Sequence, residues 1–369
     1  ACALAQQGWR STLIERHGEV AAEASGNPAG LFHGIVNADD GAHARFGRAA
    51  ALAVVHDVER AVAHGVAGAC NGLLRLEKML DVEAMAGRLA RLGLPPDYVR
   101  AVDARAASAI AGVTLRWPCW FYPSGGWIAP GGLAADYVRR AGSLAVVRHG
   151  LEVGALAQSP VGWQLLDRQG RSVAQAGTVI LANGFDALGL LGVANWPVSR
   201  LRGQISMTAE STWASPRVPI AGSGYVLPAP GGGALFGATS QRNDADPEVR
   251  AVDHAHNLAR LADLMGRPLD LQPSALEGRV AWRCSAADRL PVIGAVPDQA
   301  RLRGRLDQAR LVPRRPGLFV FTGLGSRGIT WSALGGHILA AWVTGAPMPV
   351  PASLLDALDP ARFGSYRSG

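Results

Sequence analysis

The chain has 369 residues, 49% of them hydrophobic, enough for a sizeable core and for two interlocked domains rather than one small module. Its net charge is +7 and Lys78 is its only lysine, so the basicity rests on arginine, whose planar fork suits carboxylates and phosphates and hence a polyanionic partner. No apolar run approaches the roughly 20 residues that span a bilayer, no signal peptide opens the chain, and Cys2, Cys70, Cys119 and Cys284 have neither metal-site spacing nor the density of a disulfide framework, so they read as reduced thiols of a cytoplasmic protein.

Ala1, Leu4, Ala5 and Gly8 recur at helical spacing, with Gly8 as the stop. Ser11-Thr12-Leu13-Ile14 then reads as a short buried strand ending at Glu15. This is the second half of a strand-helix-strand nucleotide unit, in which an acidic residue ends the second strand and binds ribose hydroxyls, about 20 residues after a glycine loop. Counted back from Glu15, that loop and the first strand fall before Ala1, and without them cofactor binding should weaken. An acidic residue after a strand is more often simply solvated, so Glu15 depends on the rest of the chain.

Glu23-Ala24-Ser25-Gly26-Asn27-Pro28-Ala29-Gly30 follows, either a loop passing close to a ligand or an ordinary turn cluster. A helical stretch is expected near 45–92. Phe121-Tyr122-Pro123-Ser124-Gly125-Gly126-Trp127 precedes a helix starting near Gly132. Thr178-Val179-Ile180-Leu181 reads as a buried strand that ends in the small residues Ala182-Asn183-Gly184, as a parallel strand enters a cofactor crevice. Arg202-Gly203-Gln204 leads into another strand, and Gly222-Ser223-Gly224-Tyr225-Val226-Leu227-Pro228 is a strand with one polar-tipped aromatic. Arg279-Val280-Ala281-Trp282-Arg283 alternates like a half-exposed strand, its arginines readable as a charged outer face. It runs on to Asp288-Arg289-Leu290-Pro291. Last, Leu318-Phe319-Val320-Phe321-Thr322 feeds Gly323-Leu324-Gly325-Ser326-Arg327-Gly328-Ile329 and an apolar helix from about Trp331 to Val343, whose N-terminus suits an anion.

Taken in order, Ala24-Ser25-Gly26-Asn27, Gly125-Gly126-Trp127, Leu181-Ala182-Asn183-Gly184, Arg202-Gly203-Gln204, Asp288-Arg289-Leu290-Pro291 and Gly323-Leu324-Gly325-Ser326-Arg327-Gly328 span almost the whole chain. In this order the chain resembles the FAD-dependent D-amino acid oxidase superfamily, which includes glycine and sarcosine oxidases. Within it, the chain is most similar to the oxidoreductase region of the bifunctional enzymes of tRNA 5-(methylaminomethyl)-2-thiouridine biosynthesis. The resemblance implies an α/β fold: a Rossmann-like FAD-binding domain, here without its first strand and glycine loop, and a mainly antiparallel substrate domain. We place the FAD domain at 1–55, 124–192 and 290–369, and the substrate domain at 56–123 and 193–289.

The resemblance also implies an activity, the oxidative removal of the carboxymethyl group of 5-carboxymethylaminomethyl-2-thiouridine at the tRNA wobble position. A methyltransferase domain using S-adenosylmethionine, expected upstream, completes the modification. By the same resemblance Arg283 and Tyr225 hold the substrate carboxylate, with Arg327 as a second candidate. Glu15 binds the adenosine ribose, and Ser25, Asn27 and Gly30 line the flavin and its phosphates. Ala182, Asn183 and Gly184 sit beside the cofactor, Gly325, Ser326, Gly328 and Ile329 lie against the flavin ring, and Gln204 faces it from the substrate side. No catalytic metal is implied. Two rivals stand: a glycine- or sarcosine-type small-amine oxidase, and a cofactor-poor, degenerate RNA-binding module supported by the missing glycine loop. The arginines form no long run, so a diffuse surface charge explains the basicity as well as a tRNA partner does.

Overall fold

The structure, a computed structural model, describes residues 1–209, 215–302 and 308–364. The chain forms two compact units, each discontinuous in sequence: Ala1–Ala22, Tyr137–Arg200 and Arg283–Gly369 in the first, Glu23–Asp136 and Leu201–Trp282 in the second.

In the first unit the expected opening strand forms at Ser11–Ile14, half-exposed rather than buried because, among the described residues, it pairs with a single strand, the parallel Ala145–Arg148. The short helix before it, Cys2–Ala5, packs on the long C-terminal helix Gly328–Thr344. Val179–Leu181 runs parallel to Arg314–Thr322, pairing Val179 with Leu318 and Leu181 with Val320, and Val292–Pro297 lies antiparallel on the other side of Arg314–Thr322. A separate antiparallel sheet joins Ala155–Ser159, Gly162–Leu166 and Ser172–Ala176. Trp163, Val179, Leu181, Val292, Leu318 and Val320 share one buried cluster. Each such side chain, fully buried, contributes roughly 1.5–3 kcal/mol relative to exposure. Trp163 also needs a partner for its indole N–H and donates it to the Pro316 carbonyl at 2.8 Å.

The second unit is built on a large sheet. Its strands lie in the order Gln241–Arg242, Val198–Thr208, Ala234–Gly237, Tyr225–Pro228, Ile220–Ala221, Leu73–Leu76, Cys119–Tyr122 and Arg100–Val102, with Glu277–Ala286 also paired to Val198–Thr208. Along that path, among the described residues, only Ile220–Ala221 with Leu73–Leu76 is parallel. Helices Ala104–Ala111 and Ala251–Met265 cover one face through Ala107, Ala111, Leu261 and Leu264, which pack on Leu74, Ile220, Val226 and Phe236. Local signals set the helix ends. Asp81 and Asp103 cap Val82–Arg91 and Ala104–Ala111 by accepting from Ala84 N and Ala106 N at 2.8 and 2.7 Å. Gly112 and Gly266 end their helices in the left-handed conformation.

The bounds of these units differ from those read off the sequence. Residues 23–55 and 124–136 fall in the second unit, because strand Gly30–Phe32 pairs with Gly126–Ile128, which pairs in turn with Gly68–Ala69. The helical stretch expected near 45–92 consists of Ala42–Ala63 and Val82–Arg91, with strands Gly68–Ala69 and Leu73–Leu76 between them.

Candidate functional site

In the first unit, two glycine turns follow the ends of the parallel pair. In open α/β sheets, ligands meet the carboxyl ends of the strands. After Val179–Leu181 comes Ala182-Asn183-Gly184, with Gly184 at φ +62° and open space where a Cβ would stand. After Arg314–Thr322 comes Gly323-Leu324-Gly325-Ser326-Arg327, with Gly323 and Gly325 at φ +70° and +54°, and then helix Gly328–Thr344. The two turns are tied together, since Thr322 Oγ1 donates to the Gly184 carbonyl at 2.6 Å.

The end of strand Glu277–Ala286 joins them. Gly325 N donates to the Cys284 carbonyl at 2.7 Å, Cys284 Sγ lies 3.3 Å from Thr322 Oγ1, and Ser285 bridges to Leu324. Arg283 is therefore the neighbour of residues locked to the glycine turn. Burial raises the Cys284 thiol pKa above its ordinary value, which disfavours the thiolate and makes it a packing group rather than a nucleophile. Helix Gly328–Thr344 has no side-chain cap, so the first-turn N–H groups, those of Gly328 and Ile329 included, remain donors for an anion.

Glu15 ends the strand Ser11–Ile14 as expected, and one of its carboxylate oxygens accepts from His17 N at 2.9 Å. In the second unit Ser25 is exposed in a single 3-10 turn, Ala24–Gly26. Gly30 pairs with Ile128, and half-buried Tyr225 pairs across its sheet with Ala221 and Gly237. Asn27 spends its Oδ1 on Arg279, whose Nη1 donates to it at 2.6 Å. Arg279 was readable as part of a solvated outer face; it instead reaches across 252 residues of sequence to this turn. Its trace in the sequence is a cation that, like Arg283, bounds the apolar run Val280-Ala281-Trp282.

Two members of the Arg202-Gly203-Gln204 motif are structural. Gln204 is fully buried, with Nε2 donating to the Arg250 carbonyl at 2.9 Å and Oε1 accepting from Arg250 N at 2.8 Å. Both ends of its amide are committed, so the expectation that Gln204 faces the flavin is corrected. Arg202 is also fully buried and donates to Asp253, Gln241 and the carbonyls of Asp246 and Glu248. It organises the 241–253 segment from inside.

Behind this segment Ser206 Oγ lies 2.8 Å from His254 Nδ1 and accepts from Asn257 Nδ2 at 3.0 Å. Burial holds the His254 pKa below its ordinary value. An unfolded chain takes up this proton near pH 6.5, the folded chain only lower. Stability from this group is thus present above about pH 6.5 and lost as pH falls below it. The urea midpoint should therefore drop between pH 7.5 and pH 5.0, and His254→Gln should flatten that drop. An equal slope in the variant would place the acid sensitivity elsewhere.

The family described as FAD dependent oxidoreductase matches residues 1–342. This chain belongs to that family. FAD is accordingly the cofactor of this FAD-dependent oxidoreductase, and the residues fit such a group: an uncapped helix N-terminus for negative charge and, at Gly184, open space where a Cβ would stand. The tRNA 5-methylaminomethyl-2-thiouridine biosynthesis bifunctional protein MnmC of Methylibium petroleiphilum is 48% identical over 100% of this chain and 58% of its own length. Its counterpart in Paraburkholderia phytofirmans is 37% identical over 98% of the chain and 57% of its own length. The chain thus spans just over half the length of these relatives. Solved structures share the oxidoreductase fold: glycine oxidase from Geobacillus kaustophilus, at TM-score 0.74 and 20% identity, covers 97% of this chain and 93% of its own. Iminodiacetate oxidase from Chelativorans, at TM-score 0.73 and 23% identity, covers 97% and 95%. Among the described residues no helix is long and apolar enough to cross a membrane.

Proposed function

We propose that the chain is the oxidoreductase region of a tRNA wobble-uridine modification enzyme. It converts 5-carboxymethylaminomethyl-2-thiouridine to 5-aminomethyl-2-thiouridine. The observation that carries this reading is the 48% identity along the full chain to the MnmC protein of Methylibium petroleiphilum. The arginine-based charge of +7 supports a polyanionic partner. The subsequent methylation of the new amine from S-adenosylmethionine belongs to a domain outside this chain. The setting is cytoplasmic, where tRNA is modified.

The substrate is a secondary amine with a carboxymethylene arm. FAD, when bound, accepts the hydride lost as a C–N bond becomes C=N. Water then adds to the imine and releases the primary amine and glyoxylate. The protein's part is to bind and orient. Arg283 is assigned the substrate carboxylate, since its fork matches two oxygens. Tyr225 is assigned a hydrogen bond to the same group, and Arg327 is the alternative cation. Glu15 is assigned the ribose, and Ser25, Asn27 and Gly30 the flavin and its phosphates. Ala182, Asn183, Gly184, Gly325, Ser326, Gly328 and Ile329 are assigned the rest of the cofactor. The unit containing Ser11–Ile14 and helix Gly328–Thr344 is assigned to cofactor binding, the other unit mainly to substrate.

The test is anaerobic mixing of the full-length flavoprotein with tRNA carrying 5-carboxymethylaminomethyl-2-thiouridine, with sarcosine and glycine in parallel. We expect the flavin absorbance to bleach with the tRNA and not with the small amines. Bleaching by small amines alone would overturn the tRNA reading and make the protein a small-amine oxidase. No bleaching by any of them would overturn the tRNA reading and leave the flavin to oxidise a different donor.

A further inference from the structure

The turn Ala24–Gly26 is stapled at both ends by one side chain. Arg279 Nη1 donates to Asn27 Oδ1 at 2.6 Å, and Nη2 donates to the Glu23 carbonyl at 2.7 Å. Within the turn, Gly26 N donates to the same Glu23 carbonyl at 3.0 Å. Pro28 then holds Asn27 in an extended conformation, at φ −61° and ψ 141°. The staple originates on a regular strand, Glu277–Ala286, so a loop without regular partners of its own is referenced to the sheet.

A guanidinium has five donors and no acceptor. The atom of the Asn27 amide that faces Arg279 must therefore be oxygen, which turns the NH2 group the other way. Among the described residues Asn27 Nδ2 donates to nothing. An amide fixed in this way leaves both of its N–H donors for a ligand. FAD presents acceptors, its diphosphate oxygens and its flavin carbonyls.

We propose that Arg279 is a positioning residue for the cofactor: by claiming Asn27 Oδ1 and the Glu23 carbonyl, it sets the polarity of the Asn27 amide so that Asn27 meets FAD as a hydrogen-bond donor. This rests on the assignment of Asn27 to the cofactor. No bond to substrate is involved, and Arg279 acts only through Asn27 and the turn.

The discriminating variant is Asn27→Asp. A carboxylate keeps the acceptor that Arg279 needs and adds an ion pair to it, but it removes the donor and places negative charge against an anionic cofactor. The two roles therefore separate. FAD release from the full-length holoenzyme is followed by the rise of flavin fluorescence on dilution, and the thermal melt of the deflavinated protein is measured alongside. We expect Asn27→Asp to weaken FAD binding by about tenfold or more while the melt of the deflavinated protein is unchanged or higher. Arg279→Met should weaken binding comparably, Arg279→Lys should recover part of it, and the pair Asn27→Ala with Arg279→Met should be no weaker than the worse single variant. If Asn27→Ala weakens binding but Asn27→Asp and Arg279→Met do not, Arg279 does not set the polarity and the proposal falls. It falls equally if Arg279→Met lowers the melt and adds to Asn27→Ala, the mark of a purely structural residue. If Asn27→Ala binds FAD normally, the assignment of Asn27 to the cofactor is itself wrong.

Discussion

Replacing Asp253 with alanine is expected to destabilise the protein by about 3–5 kcal/mol, because it takes the nearest carboxylate from a buried cation and leaves only Asp244, at 3.9 Å. Arg202 has no exposed surface, and its Nη1 donates to Asp253 Oδ2 at 2.6 Å. Removing the carboxylate leaves the guanidinium charged, since arginine does not give up its proton at any working pH. Gln241, whose Nε2 donates to Asp253 Oδ1 at 2.7 Å, loses its acceptor in the same step. Replacing the pair together, Arg202→Met with Asp253→Leu, should recover part of the loss but not all of it. The carbonyls of Asp246 and Glu248 would still lack the donor that Arg202 supplies. Urea unfolding of the two variants checks this. A loss below about 1 kcal/mol in Asp253→Ala would mean that water reaches the guanidinium and that the pair is not closed.

If, as proposed, Arg283 holds the substrate carboxylate, Arg283→Ala should lower kcat/KM for the modified tRNA by about a hundredfold, the order expected when one partner of a desolvated charge pair is deleted. Arg283 precedes Cys284 and Ser285, which are bonded to the glycine turn, so its backbone is anchored independently of its side chain. Truncation should therefore leave the tie between this strand and the glycine turn in place while turnover collapses. Arg283→Lys should restore only a part, because an ammonium cannot grip both carboxylate oxygens at once. If Arg283→Ala retained full turnover while Arg327→Ala lost it, the carboxylate would belong to Arg327.

The legible part of this molecule is its apolar periodicity. Ser11–Ile14, Val179–Leu181 and the strand before Gly323 all stand where short strand-forming runs end in small or acidic residues. The left-handed glycines at Gly184, Gly323 and Gly325 were visible as clusters, because a turn after a strand draws on the one residue without a steric penalty there. The polar interior was not legible. Gln204 and Asn257 are partners through contacts separated by 53 residues, and nothing in the neighbourhood of either residue announces the other. The resemblance puts Gln204 against a ligand, but a glutamine beside a glycine is equally at home in a site and in a packed network; only burial and the Arg250 backbone decide. Arg279 is hidden for the same reason: alternation fixes which side of a strand a residue lies on, not what waits on that side.

The pairing of Val179–Leu181 with Arg314–Thr322 also sets a schedule. Proteins are made from the N-terminus, and every segment of the unit that contains Asn27 and Tyr225 has been translated once Trp282 is added. The other unit must wait for the strand Arg314–Thr322 and the helix Gly328–Thr344. During that interval Val179 and Leu181 have no neighbouring strand on that side, and Trp163 lacks the Pro316 carbonyl that accepts its indole N–H. A nascent chain stalled short of Arg314 should thus carry one protease-resistant unit and one sticky, unfinished one, a client for holding chaperones until translation closes the sheet. Protease digestion of ribosome-bound chains stalled before Arg314 and beyond Thr344 would reveal two resistant cores only in the longer chain; two in both would show that the sheet closes without its last strand.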